Sequence, residues 1–275
     1  MGLLGGNYND SGVGVAKEAP QKKTFFRFID AFANKFWVLF QINIIYVLFC
    51  LPVVTFGPAT AAMTTLMRNI YLEKPQFIFH DFLQAFKKNF KNPFVIVIGL
   101  IDALAIGLTL FGYNFYIANI DYYENYWLYF ALTMAAEVIF LMMNFYIYPQ
   151  IVALDLDGAS IIKNSLILAF VNIKGNLVAL ACFIAYLLLL IYFGVFTLIF
   201  APIVPFGWLG LITIFCAYPA IQKFIINPFY EANGEKNPEL PDYEDDDDTV
   251  FEDMGGKEQP IKMKKEAHKG GKVIK

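Results

Sequence analysis

The chain has 275 residues, of which 58% are hydrophobic and 16% are charged, and its formal net charge is −3. Soluble domains contain about 45–50% apolar and about 25% charged residues, so this composition argues strongly against a soluble enzyme. It also excludes disorder over most of the chain, because disorder requires low hydrophobicity. The composition therefore predicts an integral membrane protein.

The apolar residues are concentrated in six runs. Residues 1–23 come before them and predict a disordered N-terminal segment. The runs are residues 36–51, 58–72, 94–117, 127–149, 177–201 and 207–228. A helix needs about 20 residues to span a bilayer, so the last four runs are long enough and the first two are short.

A turn separates the two short runs, and its residues include Pro52, Thr55, Gly57 and Pro58. Proline ends helices, and glycine permits a sharp reversal of the chain. Three interpretations of this region remain open: a tight turn between two crossings, the tip of a re-entrant hairpin, or one crossing followed by a surface helix. A broken-helix binding site, as in some transporters, is a further alternative for the turn.

The basic residues are sorted along the chain. All 21 Lys and Arg residues fall in four groups, and the connections 52–57, 118–126 and 202–206 contain none. Six crossings, or four crossings plus a re-entrant hairpin, place every basic residue on the cytoplasmic side, as the positive-inside rule requires. Five crossings would leave the first group outside. We therefore predict an all-α polytopic membrane domain at residues 24–230, with about six crossings and both termini cytoplasmic.

Internal similarity divides this domain into three units. Residues 25–36 align with residues 79–90 at a constant offset of 54, with five identities, and residues 52–57 resemble residues 202–207. The units would be 24–72, 78–150 and 159–228, each with an amphipathic helix followed by a membrane hairpin. Phenylalanines at helical spacing in the first two amphipathic helices predict that their rings lie in the membrane interface. These phenylalanines are Phe25, Phe28, Phe32 and Phe36 in the first helix, and Phe79, Phe82, Phe86 and Phe90 in the second.

Polar side chains inside the apolar runs are the candidate functional residues, because a polar group in lipid is costly. They are Glu137, Asp102, Asn114, Asn144, Gln41 and Asn43. Glu137 is the strongest of these candidates, since it lies near the middle of the fourth run. Two interpretations stay open for it: a hydrogen bond that holds helices together, or a carboxyl group that couples proton or substrate movement. After that run, Asp155 and Asp157 are placed to cap the next helix.

Nothing in the chain predicts an enzyme. The phosphate-binding, metalloprotease, hydrolase and dinucleotide motifs are absent, and the two histidines have no plausible partners for a metal. We therefore expect no catalytic residue, no cofactor and no metal. The tail at 231–275 has 13 acidic and 8 basic residues and predicts disorder, and its net negative charge argues against nucleic-acid binding.

The stretch 49–62, with the turn at Pro52–Pro58, resembles the signature of the YesL family of small bacterial membrane proteins of unknown function. The resemblance extends through residues 81–90 and 148–155, and residues 14–23 are similar to the clostridial form. It implies a plasma-membrane protein without catalytic residues. Since members are often associated with carbohydrate-uptake systems of the ABC type, it also implies a permease or a sensor kinase as partner.

Three function hypotheses follow from the sequence. The leading one is a non-enzymatic membrane protein that is accessory to a carbohydrate ABC uptake system or its sensor. The second is a small-solute or ion-coupled transporter, which the repeats, the proline and glycine breaks and Glu137 favour. The third and weakest is a membrane-embedded enzyme.

Overall fold

The computed structural model describes residues 24–118, 126–193, 205–235 and 237–239, and these are almost entirely helical. The first unit contains α1 (Thr24–Asn34), α2 (Phe36–Cys50), a 3-10 turn (Val53–Thr55) and α3 (Phe56–Tyr71). The second contains α4 (Ile78–Phe90), α5 (Pro93–Ala118) and α6 (Tyr126–Ala153). The third contains α7 (Gly158–Val171), α8 (Ile173–Phe193) and α9 (Pro205–Ile221), which continues through a π-helical turn (Gln222–Ile226) into α10 (Asn227–Ala232).

The three units pack in a cyclic pattern. The third helices of the units, α3, α6 and α9, all contact one another. The first two helices of each unit pack on the third helix of the preceding unit: α4 and α5 on α3, α7 and α8 on α6, and α1 and α2 on α9. This arrangement agrees with the predicted threefold repeat, because the same three-helix plan is used three times around a common core.

The all-α polytopic membrane fold is confirmed, because several helices are long and apolar enough to cross a bilayer. Three of them meet that condition outright, at Pro93–Ala118, Trp127–Ala153 and Phe206–Ala232. The helix pairs α1–α2 and α7–α8 also qualify if each counts as one span, although they are bent by 76° and 91°. The described residues therefore offer three to five spans by length and composition.

This number differs from the six crossings that the sequence favoured. The second run forms α3, whose 16 residues are too few for a separate span. α3 is also mostly buried within the protein, at the centre of the core, and so presents little surface to lipid. The fifth run, at 177–201, extends into residues 194–204, which lie outside the described residues.

The turn between α2 and α3 presents apolar side chains outward: Leu51 is 75% exposed and Val53 is 60% exposed. Its backbone is closed by Thr55, whose hydroxyl lies 2.6 Å from both the Phe49 and the Pro52 carbonyl oxygens, so that these acceptors are satisfied locally. An apolar tip whose polar groups are satisfied internally is compatible with lipid. The re-entrant interpretation of this turn therefore has a physical basis.

The predicted placement of the phenylalanine stripes in the interface is wrong for the middle of each stripe. On α1, Phe28 and Phe32 pack against the rings of Phe215 and Trp208 in α9. On α4, Phe82 is completely buried and Phe86 contacts the ring of Phe49. These stripes are the faces with which α1 and α4 bind the core. The stripe ends Phe25, Phe36, Phe79 and Phe90 are exposed, and so are Phe26 and Ile29 on α1.

The predicted domain boundary at residue 231 falls inside α10, and the structure continues beyond it to Asn237 and Glu239, which pack on the bundle. The sequence predicts disorder for the N-terminal segment at 1–23 and for the tail. Both the N-terminal segment and the tail from residue 240 onward lie outside the described residues.

Candidate functional site

Close backbone contacts between helices position the polar side chains of the core. Gly57 at the start of α3 meets Gly99 in α5, and a Cβ atom added at Gly99 would lie 2.2 Å from the Gly57 nitrogen. At the equivalent place in the cycle, Gly207 of α9 lies against α2, where its N–H donates to Asn43 Oδ1 over 3.0 Å. Only glycine permits such an approach, since any side chain would occupy the neighbour's backbone. Gly57 and Gly207, the last residues shared by the two similar sequences, therefore both serve helix packing.

A polar cluster centred on Asp102 joins α5 to α6. Asp102 is 7% exposed, and its carboxyl group accepts hydrogen bonds from Asn144 Nδ2 over 2.9 Å and from the Tyr148 hydroxyl. The Tyr46 hydroxyl lies 3.2 Å from the Thr60 hydroxyl in the adjoining α2–α3 pair. The structure thus brings together two sequence candidates, Asp102 and Asn144, and adds Tyr148.

Glu137 lies away from this cluster, in the outer part of the α5–α6 hairpin. Its carboxyl group accepts a hydrogen bond from the Thr109 hydroxyl of α5. A shallow groove between the two helices runs beside this pair and is lined by Leu108, Thr109, Gly112, Tyr129, Phe130, Thr133 and Met134. The lining is mainly apolar, so the groove offers few polar groups to a solute.

Two further polar contacts, which no local sequence signal predicts, join α6 to the third unit. The Tyr146 hydroxyl is fully buried, donates to Asn176 Oδ1 over 2.6 Å and accepts from Asn172 Nδ2 over 3.0 Å. Gln150 donates to the Ser165 hydroxyl over 2.9 Å. Among the described residues, the side-chain oxygens of Asn144 and Gln150 remain without a hydrogen-bond partner.

A buried ion pair joins α3 to the end of the described chain. The side chains of Arg68 and Glu239 are 7% and 2% exposed, and the guanidinium group donates directly to the carboxylate. Arg68 also donates to the Tyr218 hydroxyl of α9 over 2.6 Å. Arg68 lies inside the second apolar run, and Glu239 lies in the stretch at 231–275 for which the sequence predicts disorder. The missed signal was a lone arginine inside an apolar run, which in a membrane protein calls for an acidic partner.

The remaining sequence candidates lie at the surface. Gln41 and Asn114 are exposed, as are Asp155 and Asp157. Asp157 is the N-cap of α7, because its side chain accepts a hydrogen bond from the Ser160 N–H over 3.1 Å. This hydrogen bonding lowers the pKa of Asp157, since it stabilises the ionised carboxylate.

The chemistry available to these groups is hydrogen bonding between helices. Within the described ranges, no group of three or more His, Cys, Asp or Glu side chains is arranged to hold a metal ion. Three of these side chains hydrogen-bond to residues outside their own helix: Asp102, Tyr146 and Arg68. Each of them therefore joins elements that are distant in the sequence. Such groups stabilise a membrane bundle by restricting which helix faces can meet.

The fold and these contacts define a polytopic helical membrane protein with a polar network inside its core. Residues 31–113 match the sequence profile of the family described as "Protein of unknown function, DUF624". The match runs from α1 to α5, so it includes the close pair Gly57 and Gly99 and also Asp102, but not the partners of Asp102 on α6. No curated protein and no solved structure matched the chain.

Proposed function

We propose that this protein is a non-enzymatic membrane protein of the YesL type that acts as an accessory to a carbohydrate ABC uptake system or its sensor. The observation that carries the proposal is that most polar groups in the core, Asp102, Tyr146 and Arg68 among them, are occupied by partners within the protein. A transporter needs polar groups that face a path for solute. Paired groups instead favour a structural role within an assembly.

The outer surfaces of α5 and α6 support the assembly part of the proposal. Only 24% of the apolar window of α5 and 22% of that of α6 is buried within the protein. The rest is available to lipid or to the transmembrane helices of a permease or sensor kinase. Within a bilayer such contacts depend on packing and on polar groups rather than on the hydrophobic effect. The YesL-like signature around Pro52–Pro58 supplies the carbohydrate-uptake context.

The proposed location is the bacterial plasma membrane, with both termini in the cytoplasm. The sorting of the Lys and Arg residues supports this orientation. The helix ends near Arg68 would then face the cytoplasm, and the α5–α6 connection would face outward. Nucleic acid is not a proposed partner, since the chain has net negative charge.

Solute flux distinguishes this proposal from the transporter alternative. The purified full chain in liposomes is expected to move no monosaccharide, disaccharide, proton, sodium or potassium ion faster than protein-free liposomes. The Glu137→Gln variant should fold and behave in the same way, because Glu137 accepts one hydrogen bond from Thr109 that a glutamine oxygen also accepts. Robust flux through the wild type that the Glu137→Gln variant loses would overturn the accessory function in favour of a coupled transporter.

A further inference from the structure

The Arg68 end of the bundle holds a segment of the chain that has already left the last helix. Glu239 comes seven residues after α10 ends at Ala232. Its side chain nevertheless is almost completely buried, between α3 and α9. Asn237 makes a second attachment, because its Nδ2 donates to Asn227 Oδ1 over 2.8 Å and its Oδ1 accepts from the Glu239 N–H over 2.9 Å. The segment Asn237–Glu239 is therefore fixed at two points.

The groups around Glu239 match a carboxylate. One oxygen, Oε1, accepts from Arg68 and from the Tyr218 hydroxyl, while Oε2 lies 2.8 Å from the same hydroxyl and accepts from Gln222 Nε2 over 3.2 Å. A carboxylate has about four lone-pair sites, and donors approach both of its oxygens here. The donors are themselves held in place, since Tyr71 donates to Gln222 Oε1 over 3.2 Å.

Because Arg68 is charged and buried, the fold needs a carboxylate beside it, at the position that Glu239 occupies. Arg68 is 5% exposed and belongs to α3, the helix at the centre of the core, so it cannot move to water without disturbing that helix. Removing one partner of a buried pair is strongly destabilising because an uncompensated charge remains. Glu239, in contrast, belongs to a segment that follows the last helix, five residues before the run Glu244–Asp248.

We propose that Arg68, Tyr218 and Gln222 form a carboxylate-binding site, and that Glu239 occupies it as a latch that fastens the C-terminal tail to the α3–α9 interface. With the latch closed, Arg68 is neutralised and the two helices are joined through the tail. Opening the latch exposes the guanidinium group and separates the tail from the bundle.

Trypsin cleavage of the folded full chain at the bond after Lys236 tests the latch, because that bond directly precedes the docked segment. Cleavage requires a locally open chain, so its rate follows the open population. In the Arg68→Gln variant, whose cleavage-site sequence is unchanged, cleavage should be at least about tenfold faster than in the wild type. The matched control is Lys223→Gln, which removes an exposed positive charge beside Gln222 and should leave the rate unchanged.

Glu239→Gln provides a second variant in case Arg68→Gln fails to fold. It keeps the shape of the side chain, removes the charge, and should also accelerate cleavage and lower the midpoint of thermal unfolding by about 5–10 °C. Wild-type cleavage rates in both variants would overturn the latch. Equal acceleration in the Lys223→Gln control would overturn it as well, since the effect would then not depend on the carboxylate site.

Discussion

Replacing Gly99 with alanine is expected to destabilise the protein by about 3 kcal/mol or more and to reduce the yield of folded chain. The added Cβ atom would lie 2.2 Å from the nitrogen and 2.3 Å from the Cα atom of Gly57. Both are backbone atoms, so α3 and α5 must move apart, and the contacts of the central helix α3 with α4 and α6 would be disturbed. The midpoint of thermal unfolding in detergent and the folded fraction on size-exclusion chromatography measure the loss.

Gly107 on the same helix is the matched control. A Cβ atom there would have no heavy atom within 4 Å, so the Gly107→Ala substitution meets open space. Alanine is favoured over glycine in a helix by about 1 kcal/mol, and this gain applies equally to both positions. Gly107→Ala should therefore be neutral or slightly stabilising. If Gly99→Ala unfolds at the same temperature as Gly107→Ala, the close approach of α3 and α5 is wrong.

Replacing Asp102 with alanine is expected to cost about 3 kcal/mol, because it leaves one buried and one partly buried donor unsatisfied. These donors are the side-chain amide of Asn144 and the hydroxyl of Tyr148. The Asp102→Asn variant keeps one of the two acceptor oxygens and places an NH2 group at the other, so it should lose less than the alanine variant, about 1–2 kcal/mol. Thermal unfolding of both variants beside the wild type measures the difference.

A double-mutant cycle identifies the partner of Asp102. Tyr148→Phe removes the donated hydrogen bond, so its cost should largely disappear when Asp102 is already alanine. Additive losses from the two substitutions would show that the two side chains do not interact. An Asp102→Asn variant as unstable as Asp102→Ala would show that a single acceptor oxygen is not enough and that the fold requires the complete carboxylate.

Much of the fold could be predicted from local signals in the sequence. Composition identified a membrane protein, and the apolar runs placed the long helices α5, α6 and α9 close to their observed bounds. Helix ends were also predictable where a short-range signal exists, as with Asp157 before α7. The order of short and long helices within each unit follows the predicted three-unit plan.

What could not be predicted depends on contacts between distant residues. The spacing of the phenylalanines shows that one face of α4 is apolar, but it cannot distinguish lipid from another protein surface. Phe82 and Phe86 turned out to bind the core because α2 brings Phe49 against them. Equally, the length of the second run indicates that α3 is short for a crossing, but its burial could not be predicted, since that burial results from neighbours in all three units.

The polar core shows the same difference between what local sequence signals predict and what depends on contacts between distant residues. Asp102 and Asn144 were identifiable one by one as polar residues in apolar runs, whereas their pairing required the antiparallel α5–α6 hairpin. Arg68 and Glu239 are separated by 171 positions, and their partnership depends on a segment beyond the last helix. The polar neighbours of Glu239 in the sequence predict a disordered tail, whereas its side chain is buried against Arg68 in the structure.

Isolation of the tagged full chain from native bacterial membranes in detergent-free polymer discs tests the proposed accessory function most directly. Mass spectrometry should identify a carbohydrate ABC permease subunit, or the sensor kinase of such a system, at a level comparable to that of the chain itself. An unrelated polytopic protein with the same tag serves as the control. Discs that contain the chain without such a partner, at the background level of the control, would contradict the account.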